Sequence, residues 1–288
     1  MKFNFNQFSL PGLVIPAVLV LASCGDIQQE LRLEKNGSGS LEFMIDVGEM
    51  MGMAKSFEDM GSAQDTFSDD ALPDTIVSPP EPPKDEMTLL MERITDPAHD
   101  RDFDTLISFI TLMPDSIKEK EERTDLIEKM FVRIKSPAHS GDLVLGINMK
   151  FDNSQQLRDM ISYMEKLNQS SDVLSGASPV SMDSKTFMVF DSDFKTGWIR
   201  IDTMLYTGFN EQMGMSSDSA MTSEDAGMME LMFGNSKIKS VVHVPGEVLS
   251  CTNPDAILTR DNRVIIEYPM MDVIKKGKID GYTIQFKP

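Results

Sequence analysis

Apolar and polar residues alternate along two neighbouring segments near the start of the chain. Leu31 and Leu33 are separated by charged residues, and after Asn36-Gly37 the alternation resumes over residues 41–47. Asn-Gly between two runs of period 2 is a strong signal for a β-hairpin. One face of this hairpin is apolar and the other polar, so we expect an antiparallel sheet with a single covered face.

A longer alternation, over residues 143–151, predicts a further strand. From Asn153 or Ser154, either of which is a good N-cap, apolar residues recur at helical spacing. The apolar face of this predicted helix comprises Leu157, Met160, Ile161, Met164 and Leu167.

A short motif occurs twice, as Arg93–His99 and again as Arg133–His139. The first copy is followed by a strand-like run at 103–112 and a helix-like run at 115–131, and the second by the strand and helix just described. This predicts a duplicated strand–helix unit, with chance similarity in a turn-prone loop as the alternative.

The last third of the chain is predicted to be mostly strand, with turn signals such as Pro245-Gly246 between the runs and a short helix around 224–233. The predicted strands are 186–190, 198–205, 237–244, 263–268 and 282–287. Acidic, methionine-rich segments lie at 48–60 and 208–234. Residues 61–86, which include Ser78–Pro83, have the composition of a mobile insertion. We therefore expect residues 24–288 to form a single α+β domain with insertions.

The first 25 residues carry the most specific functional signal. An apolar block at 13–21 is shorter than the roughly 20 residues that span a bilayer, and it has the size of a signal-peptide core. Ala22 and Ser23 are small enough for a peptidase cleft, and the Cys24 thiol is a nucleophile for lipid transfer. The run resembles a bacterial lipoprotein signal ending in a lipobox. That resemblance implies removal of residues 1–23 and attachment of acyl chains such as palmitate at Cys24.

The same signal predicts a protein of the cell envelope whose membrane anchor is its N-terminal lipid. Gly25 follows the cysteine where an inner-membrane retention aspartate would stand, and Asp26 comes one place later. We therefore expect the outer membrane, with the protein facing the periplasm. Several acyl chains hold a protein almost permanently, at about 0.8 kcal/mol per buried CH₂.

Charge and cysteine content narrow the function classes. The formal net charge is −19, and it becomes −20 once Lys2 is removed with the signal. Such a charge argues against nucleic acid as a partner and against lying flat on anionic lipid. With Cys24 lipidated, Cys251 has no cysteine left to pair with, and its apolar surroundings predict a small buried residue.

Other candidate chemistry finds less support. Eight of the 24 methionines form clusters that could bind Cu(I). His99, His139 and His243 are distant in sequence from these clusters, so adaptable packing or partner contact is favoured over a copper site. The clusters are Met50, Met51 and Met53; Met213 and Met215; and Met228, Met229 and Met232.

Two acidic runs fail as calcium loops. Asp100, Asp102 and Asp104 are not followed by the required glycine and glutamate, because Thr105 and Thr111 stand there. Asp191-x-Asp193 is interrupted in the same way by Lys195. The chain also lacks Gly-x-Ser-x-Gly and His-Glu-x-x-His motifs, so we assign no catalytic residue, metal ligand or cofactor.

Two stretches carry a family resemblance. One is Cys24, the charged alternating strand after it and Asn36–Gly39; the other is Val242–Ser250 with Asn253 and Asn262–Glu267. Together they resemble the LppM-like domain of bacterial envelope lipoproteins, although the acidic insertions and the lack of a tryptophan after Asn262 depart from the family pattern. The resemblance implies an antiparallel sheet curved over helices, as in lipid-binding helix-grip folds, and it offers no catalytic residues.

These observations predict a lipid-anchored, non-enzymatic envelope protein. Its expected role is to bind an apolar ligand in the sheet concavity or to contact another envelope component. A plain packed core on that face is the structural alternative. An enzyme of unrecognised type and a soft-metal binder are the functional alternatives.

Overall fold

A computed structural model describes residues 25–46, 101–112, 123–139, 143–170, 184–206, 227, 229, 230 and 233–288. The strands in chain order are β1 (Ile27–Leu33), β2 (Gly39–Asp46), β3 (Phe103–Ser108), β4 (Met130–Ser136), β5 (Val144–Phe151), β6 (Phe190–Asp193), β7 (Trp198–Ile201), β8 (Met204–Leu205), β9 (Lys237–His243), β10 (Val248–Cys251), β11 (Ile257–Leu258), β12 (Arg263–Pro269), β13 (Lys278–Ile279) and β14 (Tyr282–Phe286). The helices are α1 (Phe109–Leu112), α2 (Thr124–Ile127), α3 (Ser154–Ser170) and α4 (Met270–Lys276), with a 3₁₀ turn at Ser184–Thr186. The fold is α+β and mostly sheet.

The largest sheet has eight strands in the order β11-β12-β9-β1-β2-β5-β4-β3. Its neighbours are antiparallel except β1 and β9, which run parallel with Ile27 opposite Ile238. The expectation of a purely antiparallel sheet is therefore wrong at this pair. Strand β9 follows β1 by some two hundred residues, so no local turn signal in the sequence predicts this pairing.

The N-terminal hairpin is confirmed. Strands β1 and β2 pair with Leu31 opposite Leu41, and both leucines are fully buried. Gly37 has φ +87°, which suits glycine in a tight turn. The side-chain oxygen of Asn36 accepts the amide N–H of Ser38 at 3.1 Å and completes the turn.

The middle of the chain departs from the predicted order of elements. The predicted strand at 103–112 ends at Ser108, and Phe109–Leu112 is helical. The predicted helix at 115–131 is wrong at its end, because Met130 already pairs with Met149 in the sheet. Within the described part of that run, only Thr124–Ile127 is helical. The first copy of the repeated motif lies outside the described residues.

Strand β5 and helix α3 are confirmed as predicted. The Asn153 side chain accepts the Gln156 amide N–H at 2.9 Å, as an N-cap does. Leu157, Met160 and Ile161 are buried, so α3 packs its apolar stripe on the inner face of the large sheet. The side chain of Leu167 lies outside the described residues.

A second, four-stranded antiparallel sheet, in the order β10-β14-β7-β6, contributes to the same hydrophobic core. The strand predicted at 186–190 is wrong, because strand β6 begins only at Phe190. The run predicted at 198–205 is interrupted between β7 and β8. Strands β9, β12 and β14 are found where they were predicted, and the described residues within 224–233 are helical.

Candidate functional site

The described chain begins beside the predicted lipidation site. Cys24 lies outside the described residues, whereas Gly25 and Asp26 lie against the large sheet. The Asp26 carbonyl accepts the Asp46 amide N–H at 3.0 Å, and its carboxylate accepts the Lys237 amide N–H at 2.8 Å. Gly25 is buried, and a Cβ there would overlap the carbonyl oxygen of Asp46. The residue after Cys24 must therefore be very small for this packing.

A cleft of about 360 Å³ opens beside the last residues of β12. Its walls come from the loop after β10, the end of β12, helix α4 and the β13–β14 turn. This volume falls in the range of small-ligand sites. The cleft is the strongest candidate site in the described part of the chain.

Asn253 builds one wall of the cleft and positions its central tyrosine. Its side-chain oxygen accepts the Asp255 amide N–H at 2.9 Å, which forms a local turn. Its amide nitrogen donates to the Tyr268 hydroxyl at 3.2 Å. The Tyr268 hydroxyl proton has no acceptor among the described residues, so it is available to a ligand.

Two glycines make the opposite wall possible. Gly277 ends α4 with φ +66°, and its amide N–H donates to the Val273 carbonyl at 2.8 Å. At Gly281 a Cβ would stand 2.6 Å from the Ile201 carbonyl oxygen, so only glycine permits this close approach. The Gly281 amide N–H donates to the Thr203 hydroxyl at 3.1 Å.

Carboxylates outnumber ammonium groups around the cleft. The acidic lining residues are Asp255, Glu267, Asp272 and Asp280, and the basic ones are Lys276 and Lys278. Two of the acids are already paired: Asp280 with Lys278 at 2.7 Å, and Glu267 with Lys237 outside the lining at 3.1 Å.

Among the described residues, Asp255, Asp272 and Lys276 have no ion-pair partner within 4.0 Å. This leaves two carboxylates and one ammonium group for a ligand. This excess of negative over positive side chains therefore favours a ligand that carries a positive group.

The two tyrosines of the cleft and the nearby Cys251 thiol are held in their neutral forms. Burial, reinforced by nearby negative groups, raises the pKa of Tyr268. Burial also raises the pKa of Tyr282, whose hydroxyl is 2.7 Å from that of Ser240. The half-buried Cys251 thiol has its pKa raised by desolvation, which opposes formation of a nucleophilic thiolate.

The histidines singled out by sequence do not meet at the cleft. His243 lies on the outer face of the large sheet, where its Nε2 is 2.8 Å from a Glu30 carboxylate oxygen. Desolvation, and next Arg32, lower the pKa of His243 despite this carboxylate. His139 follows β4, away from the cleft lining, and His99 lies outside the described residues.

The aspartates tested as calcium ligands are engaged by the protein itself. Asp102 accepts the Ala138 amide N–H at 2.7 Å, and Asp104 pairs with Arg133 at 2.8 Å. Asp191 pairs with two arginines, and Asp193 accepts the Lys195 amide N–H at 2.9 Å. Asp100 is outside the described residues. The described acids of these two runs are thus held by protein groups, and their interpretation as structural surface acids stays a prediction.

Most of the methionine clusters lie outside the described residues. The exception is Met229, which is 2% exposed and belongs to the hydrophobic core. Within the described ranges, no three His, Cys, Asp or Glu side chains converge as metal ligands. None of the helices in those ranges has the length and apolarity needed to cross a bilayer.

Sequence reasoning missed the cleft, although local signals for one wall were present. The sequence marks both ends of α4. Pro269 stands directly before its first residue, and two lysines in its last turn are followed by Gly277. Asn253-Pro254 signals a turn, but nothing in the sequence signals the contact of Asn253 with Tyr268, because that contact depends on the tertiary fold. Comparison with protein-family models, with curated proteins and with solved structures found no match to this chain.

Proposed function

We propose that this chain is a lipid-anchored protein of the cell envelope that works by binding rather than by catalysis. The run from the apolar block to Cys24 supports the anchor. The proposed location is the outer membrane, facing the periplasm, with the lipid chains as the membrane partner. Burial raises the pKa of the Cys251 thiol, the free cysteine of the described residues, which opposes a nucleophilic role for it.

We further propose that the cleft binds an envelope component through a positively charged amine. The observation that carries this proposal is the excess of unpaired carboxylates, Asp255 and Asp272, beside the free hydroxyl proton of Tyr268. The amine would lie among the carboxylates, while Tyr268 and Lys276 suit an oxygen acceptor on the same molecule. A polar amine-bearing component fits this lining better than the apolar ligand first considered.

Packing on the inner face of the large sheet also favours a polar ligand over an apolar ligand in the sheet concavity. Leu31, Leu41 and Phe43 on that face are at most 1% exposed, because helix α3 and the second sheet fill the space.

We retain a helix-grip-like curvature and kinship with the LppM-like domain as parts of the proposal. They are supported by the α3–β5 packing and by the turn at Asn36-Gly37.

The binding proposal can be tested on the lipidated full chain extracted in detergent. Mass spectrometry would identify the small molecules and lipids that co-purify with the wild type, with a double variant Tyr268→Phe/Asp272→Asn, and with Glu34→Gln. Glu34 is an exposed acid in the β1–β2 turn, remote from the cleft, and so serves as the matched control. We expect amine-bearing species with the wild type and the control, and at least tenfold less with the double variant. Equal recovery from all three proteins would refute the proposal.

A further inference from the structure

We propose that one edge of the large sheet lies directly on the membrane, held there by the short connection to Cys24. This inference rests on the proposed lipidation of Cys24 and adds to it a fixed orientation of the folded domain. The edge is called the anchor edge. It consists of the strand ends level with Ile27, namely Asp46, Lys135, Val144, Lys237 and Pro269.

The connection between lipid and fold is too short to let the domain turn freely. Ile27, the first residue of the central strand β1, follows Cys24 by three positions. Even fully extended, three residues span only about 10 Å. A lipoprotein with a long linker could present any face to the bilayer, but this chain could present only the neighbourhood of Ile27.

Part of that short connection is also fixed to the sheet. Asp26 accepts amide N–H groups from Asp46 and Lys237, which belong to the strands on either side of β1. Gly25 is buried against the Asp46 carbonyl. The residue directly after the proposed lipidation site is therefore already packed against the sheet.

The charge of the anchor edge is compatible with lipid headgroups. The protein as a whole is strongly acidic, with a formal charge of −19 for the full chain. Among the described residues at this edge, however, three basic side chains offset most of the acidic ones, so repulsion from an anionic surface is not concentrated there. The basic residues are Arg101, Lys135 and Lys237, and the acidic ones are Asp26, Asp46, Asp102, Asp104 and Glu267.

This orientation has a consequence for the cleft. Strand β12 ends at the anchor edge, with Pro269 opposite Lys237, and both Tyr268 and Pro269 line the cleft. The cleft would therefore open close to the headgroup layer. Its ligand would be met at the membrane surface and not deep in the surrounding solution.

The orientation can be measured with a single fluorescent label on the lipidated full chain in phosphatidylcholine vesicles that contain a headgroup-nitroxide lipid. Cys251→Ser removes the free thiol, and one new cysteine is introduced at Asn235→Cys or at Lys35→Cys. Both positions are exposed. Asn235 precedes β9 at the anchor edge. Lys35 lies beyond the other end of β1, and the seven residues of that strand span about 23 Å at roughly 3.3 Å per residue.

We expect quenching of the label at position 235 to exceed quenching at position 35 by at least threefold. Inserting twelve Gly/Ser residues between Cys24 and Gly25, with a typical reach of about 19 Å, should bring the ratio close to one. Equal quenching without the insert, or a ratio that the insert leaves unchanged, would overturn the inference. Labelled palmitate is followed in the same samples. If it is not incorporated, lipidation itself is refuted, whereas equal quenching in palmitate-labelled protein refutes only the orientation.

Discussion

Gln29 is a polar side chain inside the core, and its replacement by leucine should destabilise the protein strongly. The residue is 1% exposed and points to the apolar side of β1. Its oxygen accepts the Met188 amide N–H at 2.7 Å. Its nitrogen donates to the Thr186 carbonyl at 2.9 Å and to the Tyr206 hydroxyl at 3.1 Å.

The magnitude follows from the groups that Gln29→Leu would leave without partners. A buried donor or acceptor without a partner costs about 1–3 kcal/mol, and three such groups are involved. The added apolar burial of leucine returns about 1–2 kcal/mol. Three such groups together cost about 3–9 kcal/mol, so after this return the free energy of unfolding should fall by about 1–8 kcal/mol, a large part of the 5–15 kcal/mol typical of a domain.

Urea unfolding followed by the fluorescence of Trp198, the single tryptophan, would measure the effect. Gln285→Leu makes the same substitution at an exposed strand position, and it should change the free energy of unfolding by less than about 0.5 kcal/mol. If Gln29→Leu unfolds at the wild-type midpoint with an unchanged m-value, the amide does not hold the 184–188 segment to β1 and this reasoning is wrong.

Two further predictions concern the anchor edge and the outer face of the large sheet. In chains that carry Cys24→Ser, Gly25→Ala should lower the urea midpoint, because its Cβ would overlap the Asp46 carbonyl oxygen; an unchanged midpoint would show that this packing is absent. The pKa of His243 is lower in the folded chain than its usual value of about 6.5, which the unfolded chain keeps. Between these two pKa values the unfolded chain binds more protons than the folded one. Stability should therefore fall as pH drops through that range, by at most about 1.4 kcal/mol per pH unit, and His243→Gln should remove this part of the slope. An identical pH dependence in both proteins would contradict the assigned environment.

Segments with local signals were predictable from the sequence. Asn36-Gly37 between alternating runs placed the first hairpin, and Asn153 before a helical period placed α3. In each case the determining residues are within a few positions of the element that they specify, so propensity and pattern agree with the fold.

The failures have a shared physical cause, which is contact over a long sequence separation. The segment 186–190 has the apolar character of a strand, yet its polar backbone groups bond to the side chain of Gln29. The parallel pairing of β1 with β9 and the contact of Asn253 with Tyr268 likewise depend on the assembled fold. Residue patterns within one segment do not contain this information.

Attachment of lipid at Cys24 is the claim on which the envelope location and the membrane orientation both depend. The most direct measurement is the intact mass of the protein purified from bacterial membranes, compared with the Cys24→Ser variant. The account predicts a chain that begins at residue 24 and carries the mass of its acyl chains, and a variant that incorporates no palmitate. A wild-type protein of unmodified mass, or labelled palmitate in the variant, would contradict it.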